Sequence, residues 1–211
     1  MGSFDWTELN RIEVFGVITG IIYVFLEIRQ NIWLWPVGIA TSAVYVYVFF
    51  SSKFYADMSL QVYYLVVSFA GWYWWVKGTG YKAHGSGESK EDEAGEADRD
   101  GGLRVTRLKL RTGIILSAVF VVLYLLMWLL LSGLTDSPVP GWDSLITSLS
   151  VIATWMLARK IFEHWYLWVV VNLVSVIIFS TRELYPTVIL YLVYLTMSFA
   201  GLRTWRKSLS S

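Results

Sequence analysis

"SFAGWYWWVK" at residues 68–77 and "SFAGLRTWRK" at residues 198–207 open with the same four residues, and in both a tryptophan (Trp75, Trp205) and a lysine (Lys77, Lys207) follow at the same spacings. The copies lie 130 residues apart. A recurrence at fixed distance makes internal duplication the first question to ask of a chain, because missing it misreads the whole fold. Sliding the sequence against itself by 130 without a gap brings Ile22 onto Ile152, Arg29 onto Arg159, Trp35 onto Trp165, Phe49 onto Phe179, Leu60 onto Leu190 and Tyr64 onto Tyr194. The chain reads as two copies of one unit.

Composition says what kind of unit. With 56% hydrophobic and 17% aromatic residues, the 211-residue chain has more apolar surface than a soluble globule of its size can bury. Seven apolar segments, near 13–30, 33–50, 57–76, 111–132, 143–160, 165–181 and 184–203, approach the roughly 20 residues that a helix needs to cross a bilayer. They are continuous rather than alternating, so the sequence predicts an all-α membrane protein with seven transmembrane helices. The first run lacks a small-residue cleavage site and is read as the first span of the mature protein. A net charge of +1 gives no footprint for nucleic acid, and the absence of cysteine removes disulfides and thiolate chemistry.

Three spans return the chain to the opposite side, so a second copy attached directly would be inverted. The fourth span restores direction, which gives 3+1+3 parallel repeats. The expected units are residues 1–80 (first repeat), 81–103 (flexible cytoplasmic linker), 104–137 (linker helix) and 138–211 (second repeat). The linker stretch "GTGYKAHGSGESKEDEAGEADRDGG" at residues 78–102 is glycine- and charge-rich, with almost nothing apolar to fold around. On alternating sides the Lys and Arg residues divide three (Arg11, Lys53, Arg182) against fourteen. This predicts the amino terminus outside and the carboxyl terminus in the cytoplasm.

In "HWYLWVVVN" (164–172), Trp165, Trp168 and Asn172 share one helical face at i, i+3 and i+7, spanning about 10 Å at 1.5 Å per residue. An amide turned to lipid loses its partners, so Asn172 should face protein or a cavity. An interfacial tryptophan belt with Asn172 bonded to another helix is the alternative. Gln61, Tyr64 and Ser68 repeat the spacing, and Tyr191, Tyr194 and Ser198 are their mates 130 residues on. The mates of the α-helical face at 165–172 are Trp35, Gly38 and Ser42, so the two halves differ where a cavity would lie. Pro36 is either a hinge or a tolerated first-turn proline. Glu13, Glu27, Asp57, Asp143, Glu163 and Glu183 fall at or near span ends, where caps and loop ion pairs are expected; His84 and His164 form no pair for a metal. No nucleophile, base and orienter set is evident, so the chain is read as no enzyme and as needing no cofactor. A retinal receptor would need a lysine deep in a late span, and Lys207 lies beyond the last one.

"NIWLWPVGI" (31–39), "FYADMSLQVYY" (54–64), "GWYWW" (71–75), "WDS" (142–144) and "ARKIFEHWYLWVVVNLVSVIIF" (158–179) resemble the PnuC family of bacterial vitamin transporters over nearly the whole chain outside the linker. The resemblance implies a SWEET-like 3+1+3 architecture in the inner membrane and uniport of nicotinamide riboside, with trapping by a cytoplasmic kinase and a homotrimeric assembly. Thiamine and riboflavin are carried by similar relatives, and the bulky "WLWP" at 33–36 resembles the thiamine type. On this resemblance Trp165, Trp168, Asn172 and Gln61 are the expected ligand contacts, with Tyr64, Tyr191, Tyr194, Trp35 and Ser42 as further candidates. The substrate it implies is a flat cation, which aromatic faces attract by about 2 kcal/mol when desolvated.

Overall fold

The computed structural model describes residues 6–51, 55–77, 103–134 and 138–209. They form α1 (Trp6–Ile28), α2 (Leu34–Ser51), α3 (Tyr55–Lys77), α4 (Leu110–Leu134), α5 (Pro140–Ala158), α6 (His164–Thr181) and α7 (Tyr185–Ser208). Among the described residues there is no strand, only an isolated bridge between Thr106 and Ile161. The expected linker, Leu103 excepted, lies outside the described residues, as do Lys53, His84 and the boundaries near 80 and 137. Leu103 itself is buried in the core.

Four helices, α2, α4, α6 and α7, are individually long and apolar enough to cross a membrane. The outer surface agrees with a lipid solvent: Ile114, Val122 and Leu129 of α4 are each more than half exposed. Pro36 sits in the first turn of α2, where a missing N–H removes no intrahelical bond, so it breaks nothing.

Two helix ends 130 residues apart share one backbone geometry. α1 ends with Gln30 in the left-handed region (φ 52°), and α5 with Lys160 in the same conformation (φ 49°). Each end is closed by a paired set of bonds. Asn31 N–H donates to Leu26 O (2.9 Å) and Gln30 N–H to Glu27 O (3.0 Å); Ile161 N–H donates to Met156 O (2.9 Å) and Lys160 N–H to Leu157 O (2.9 Å). These are Schellman ends, which satisfy the last carbonyls of a helix.

The "SFAG" glycines serve one packing device used twice. A Cβ at Gly71 would run into the six-membered ring of Trp35, and one at Gly201 into the same atoms of Trp165. Each indole from the start of one helix is thus wedged against the bare backbone of the next. The wedge is closed by a second tryptophan that both copies share: Trp35 meets Trp75 edge-on at 5.4 Å, and Trp165 meets Trp205 at 5.9 Å. Edge-to-face pairs of this kind add about 0.5–1.5 kcal/mol beyond area burial.

Helix packing follows a closed circuit. α1 packs on α2, α2 on α3, α3 on α5, α5 on α6, α6 on α7, and α7 back on α1; α4 packs on α5 alone. Six helices therefore form a ring with α4 outside it. Cross-ties join the two halves of the ring: Tyr63 Oη of α3 donates to Val151 O of α5 (2.7 Å), and Gln30 Nε2 after α1 donates to Ser208 Oγ of α7 (2.9 Å).

Candidate functional site

The ring encloses a cavity of about 760 Å³, walled by residues from all six of its helices and by none from α4. Its volume is in the range of small-molecule sites, roughly 300–1,000 Å³. Two α1 glycines shape it. Gly16 lets the phenol of Tyr45 come against the α1 backbone, and Gly20 does the same for Tyr194; a Cβ at either would collide with the hydroxyl oxygen.

The structure brings together most of the residues singled out from sequence. Trp165, Trp168 and Asn172 from α6, Gln61 and Tyr64 from α3, Tyr191 and Tyr194 from α7, and Ser42 from α2 all line the cavity. The i, i+3, i+7 spacing explains this, since each set sits on one face of its helix. Asn172 is buried, and its Nδ2 donates to Ser198 Oγ (3.1 Å), which in turn donates to Tyr194 O (2.8 Å). The amide therefore faces α7 across the cavity wall, not lipid. The indole Nε1 atoms of Trp165 and Trp168 are buried and find no acceptor among the described residues. A buried donor without a partner costs about 1–3 kcal/mol, which a ligand acceptor can recover.

Trp35 departs from expectation. It is fully buried and not among the lining residues, because Gly71 opens a slot that takes the whole ring and Trp75 closes it. Its mate Trp165 fills the matching slot but still reaches the cavity. The difference lies one turn further along, where the first half has Gly38 and the second Trp168. Gly38 is itself crowded: a Cβ there would stand 3.0 Å from both Ser68 Oγ and the Tyr23 ring.

Two residues assigned to helix ends belong to this site as well. Glu27, in the last turn of α1, is 2% exposed and lines the cavity. Its Oε1 lies 3.1 Å from Nε2 of His164, the first residue of α6, which is wholly buried. The imidazole is held between Trp165 (4.8 Å) and Trp205 (4.7 Å), and Trp205 Nε1 donates to Glu27 O (3.0 Å). A signal was present in the sequence: 130 residues away, Glu27 pairs with Leu157 and His164 with Leu34, polar against apolar in both cases. Glu163, the neighbour of His164, does serve locally, accepting from Leu108 N–H (2.8 Å).

Among the described residues that line the cavity, Glu27 is the only charged side chain. The wall is thus aromatic and hydroxylic, with two carboxamides and one carboxylate. It can stack a flat ring, bond hydroxyls and a carboxamide, and favour positive over negative charge.

The chain is 26% identical to the nicotinamide riboside transporter PnuC of Escherichia coli, across 98% of this chain and 88% of the relative. It is also 26% identical to the PnuC nicotinamide riboside transporter of Neisseria mucosa (91% and 70%) and to the riboflavin/roseoflavin transporter RibM of Streptomyces davaonensis (92% and 83%). The crystal structure of a vitamin B3 transporter PnuC has the same fold, with a TM-score of 0.66 at 22% identity over all of this chain and 94% of that one. The family described as nicotinamide mononucleotide transporter matches residues 10–207, and with that match the chain belongs to the PnuC family of membrane transporters.

Proposed function

We propose that this protein carries nicotinamide riboside into the bacterial cell by facilitated diffusion across the inner membrane. The observation that carries the reading is the cavity, where Trp168, Asn172 and Gln61 share a wall that contains no Lys or Arg among its described residues. A mononucleotide would bring its phosphate against a wall with no described Lys or Arg and with the Glu27 carboxyl in it. Leaving such a charge unpaired costs several kcal/mol, so the site suits the riboside rather than the nucleotide. The pyridinium ring is a permanent flat cation for the indoles of Trp165 and Trp168, and Asn172 and Gln61 suit its carboxamide and ribose hydroxyls.

The same argument supports metabolic trapping. Once a cytoplasmic kinase adds phosphate, the product no longer matches the cavity and stays inside. Transport then follows from alternating access, with residues 1–80 and 138–211 as parallel three-helix repeats that rock about the shared site, as in the SWEET-like arrangement, and 104–137 as the helix that joins them. The matched Schellman ends and tryptophan wedges support the repeat. All seven helices would span, with the amino terminus outside and the carboxyl terminus in the cytoplasm. The apolar surface of α4, packed only on α5, is free for lipid or for the other copies of a homotrimer.

The test is a binding titration of the purified protein against nicotinamide riboside, its 5′-mononucleotide, thiamine and riboflavin. The riboside should bind tightest and the mononucleotide weakest. Preference for thiamine would reassign the substrate within the same architecture, and preference for riboflavin would align the chain with the RibM relative. Preference for the mononucleotide would refute the charge argument.

A further inference from the structure

Glu27 and His164 have no packing reason to be polar. In the other half their equivalents, Leu157 and Leu34, are fully buried in the apolar core at the matching helix ends. Replacing a buried ion pair by apolar side chains is often neutral or stabilising, so the pair is poorly explained as a staple. It is also the place where charge enters the cavity wall. The basic side chains at this end are engaged elsewhere: Arg159 lies over the Trp74 ring (4.9 Å) and Lys160 over the Trp75 ring (4.2 Å). Neither lines the cavity.

The bonding of His164 defines the pair. Nδ1 lies 2.7 Å from the carbonyl oxygen of Ile161, which can only accept, so Nδ1 carries a hydrogen. The contact between Nε2 and Glu27 Oε1 then holds one further proton, and the pair is neutral as a unit. His164 thus gives the Glu27 carboxyl an internal partner.

We propose that Glu27 is the charge-selecting residue of the cavity, and that His164 holds it in place and competes with the incoming cation for it. This rests on the cavity being the substrate site. A cationic ring entering beside Tyr23 and Trp168 takes the place of the imidazole beside the Glu27 carboxylate, the shared proton stays on His164, and the tie between α1 and α6 loosens as the ligand binds. Charge recognition and release of this end of the ring are then one event.

The test uses two probes of nearly the same shape, nicotinamide riboside and its reduced dihydro form, whose ring is uncharged, with thiamine as a second cation. In the wild-type protein the cation should bind better than the neutral form. Glu27→Gln should lower the cation-to-neutral affinity ratio by roughly tenfold or more, while His164→Gln, which keeps the carboxylate and removes its competitor, should raise it. Opposite signs are the signature, because a merely structural pair would lose affinity for both probes in both variants. Binding of the neutral probe reports that each variant is folded. If wild type prefers a cation and neither variant shifts the ratio, Glu27 is not the selector although the proposed function stands. If wild type takes only neutral riboflavin, both readings fall.

Discussion

The two halves of the ring share their packing devices and part of the cavity wall, where Tyr64 and Ser68 match Tyr194 and Ser198, and differ at a few positions that face the cavity. Trp35, Gly71 and Trp75 reproduce Trp165, Gly201 and Trp205 down to which ring atoms crowd which glycine. One helical turn away the likeness ends: Gly38 and Ser42 stand where the second half has Trp168 and Asn172. At the helix ends Glu27 and His164 stand where the other half has Leu157 and Leu34. The matched tryptophans and glycines mark what the bundle needs to hold together. Unmatched positions mark what an unsymmetrical ligand needs, since two equal half-sites could not present an indole pair on one side and small hydroxyl groups on the other.

The sharpest way to break this comparison is at the ends. Glu27→Leu alone leaves His164 buried without its partner and should lower stability by about 3–5 kcal/mol, and adding His164→Leu should restore it to wild type or above. Thermal unfolding in detergent reads both; a double variant as unstable as the single one would mean that the two halves need different packing after all. Next, Gly71→Val and Gly201→Val each drive a side chain into a buried indole and should cost about 1–3 kcal/mol, by similar amounts. Unequal losses in the same unfolding assay would show that the wedges are not equivalent.

Smaller effects concern transport. Trp168→Ala should reduce riboside affinity roughly thirtyfold, from the loss of about 2 kcal/mol of ring–cation attraction, with unfolding little changed. Asn172→Ala removes one bond to Ser198 and one ligand partner, for about 1 kcal/mol or roughly fivefold. Ser42→Ala, its mate in the small half, should change affinity by about twofold at most, as hydroxyls in a hydrated cavity exchange readily with water. Isothermal titration of the three proteins sharpens the comparison: equal losses at Asn172 and Ser42 would put the ligand midway between the halves.

The helices and their order were legible in the amino-acid sequence, because a backbone in lipid has to satisfy its own hydrogen bonds and long apolar runs leave only the helix. So were the faces carrying Trp165, Trp168 and Asn172 and Gln61 and Tyr64, since helical spacing alone puts them together. What the sequence could not specify is which faces meet. Trp35 and Trp165 share a pattern, yet only Trp165 reaches the cavity; beyond Trp35, Tyr23 and Ser68 pack against Gly38. Glu27 read as a span-end acid for a cap or a loop ion pair. It is buried because the ring closes α1 against α7 and brings Glu27 onto His164, a contact between residues 137 apart in the chain that no local pattern encodes.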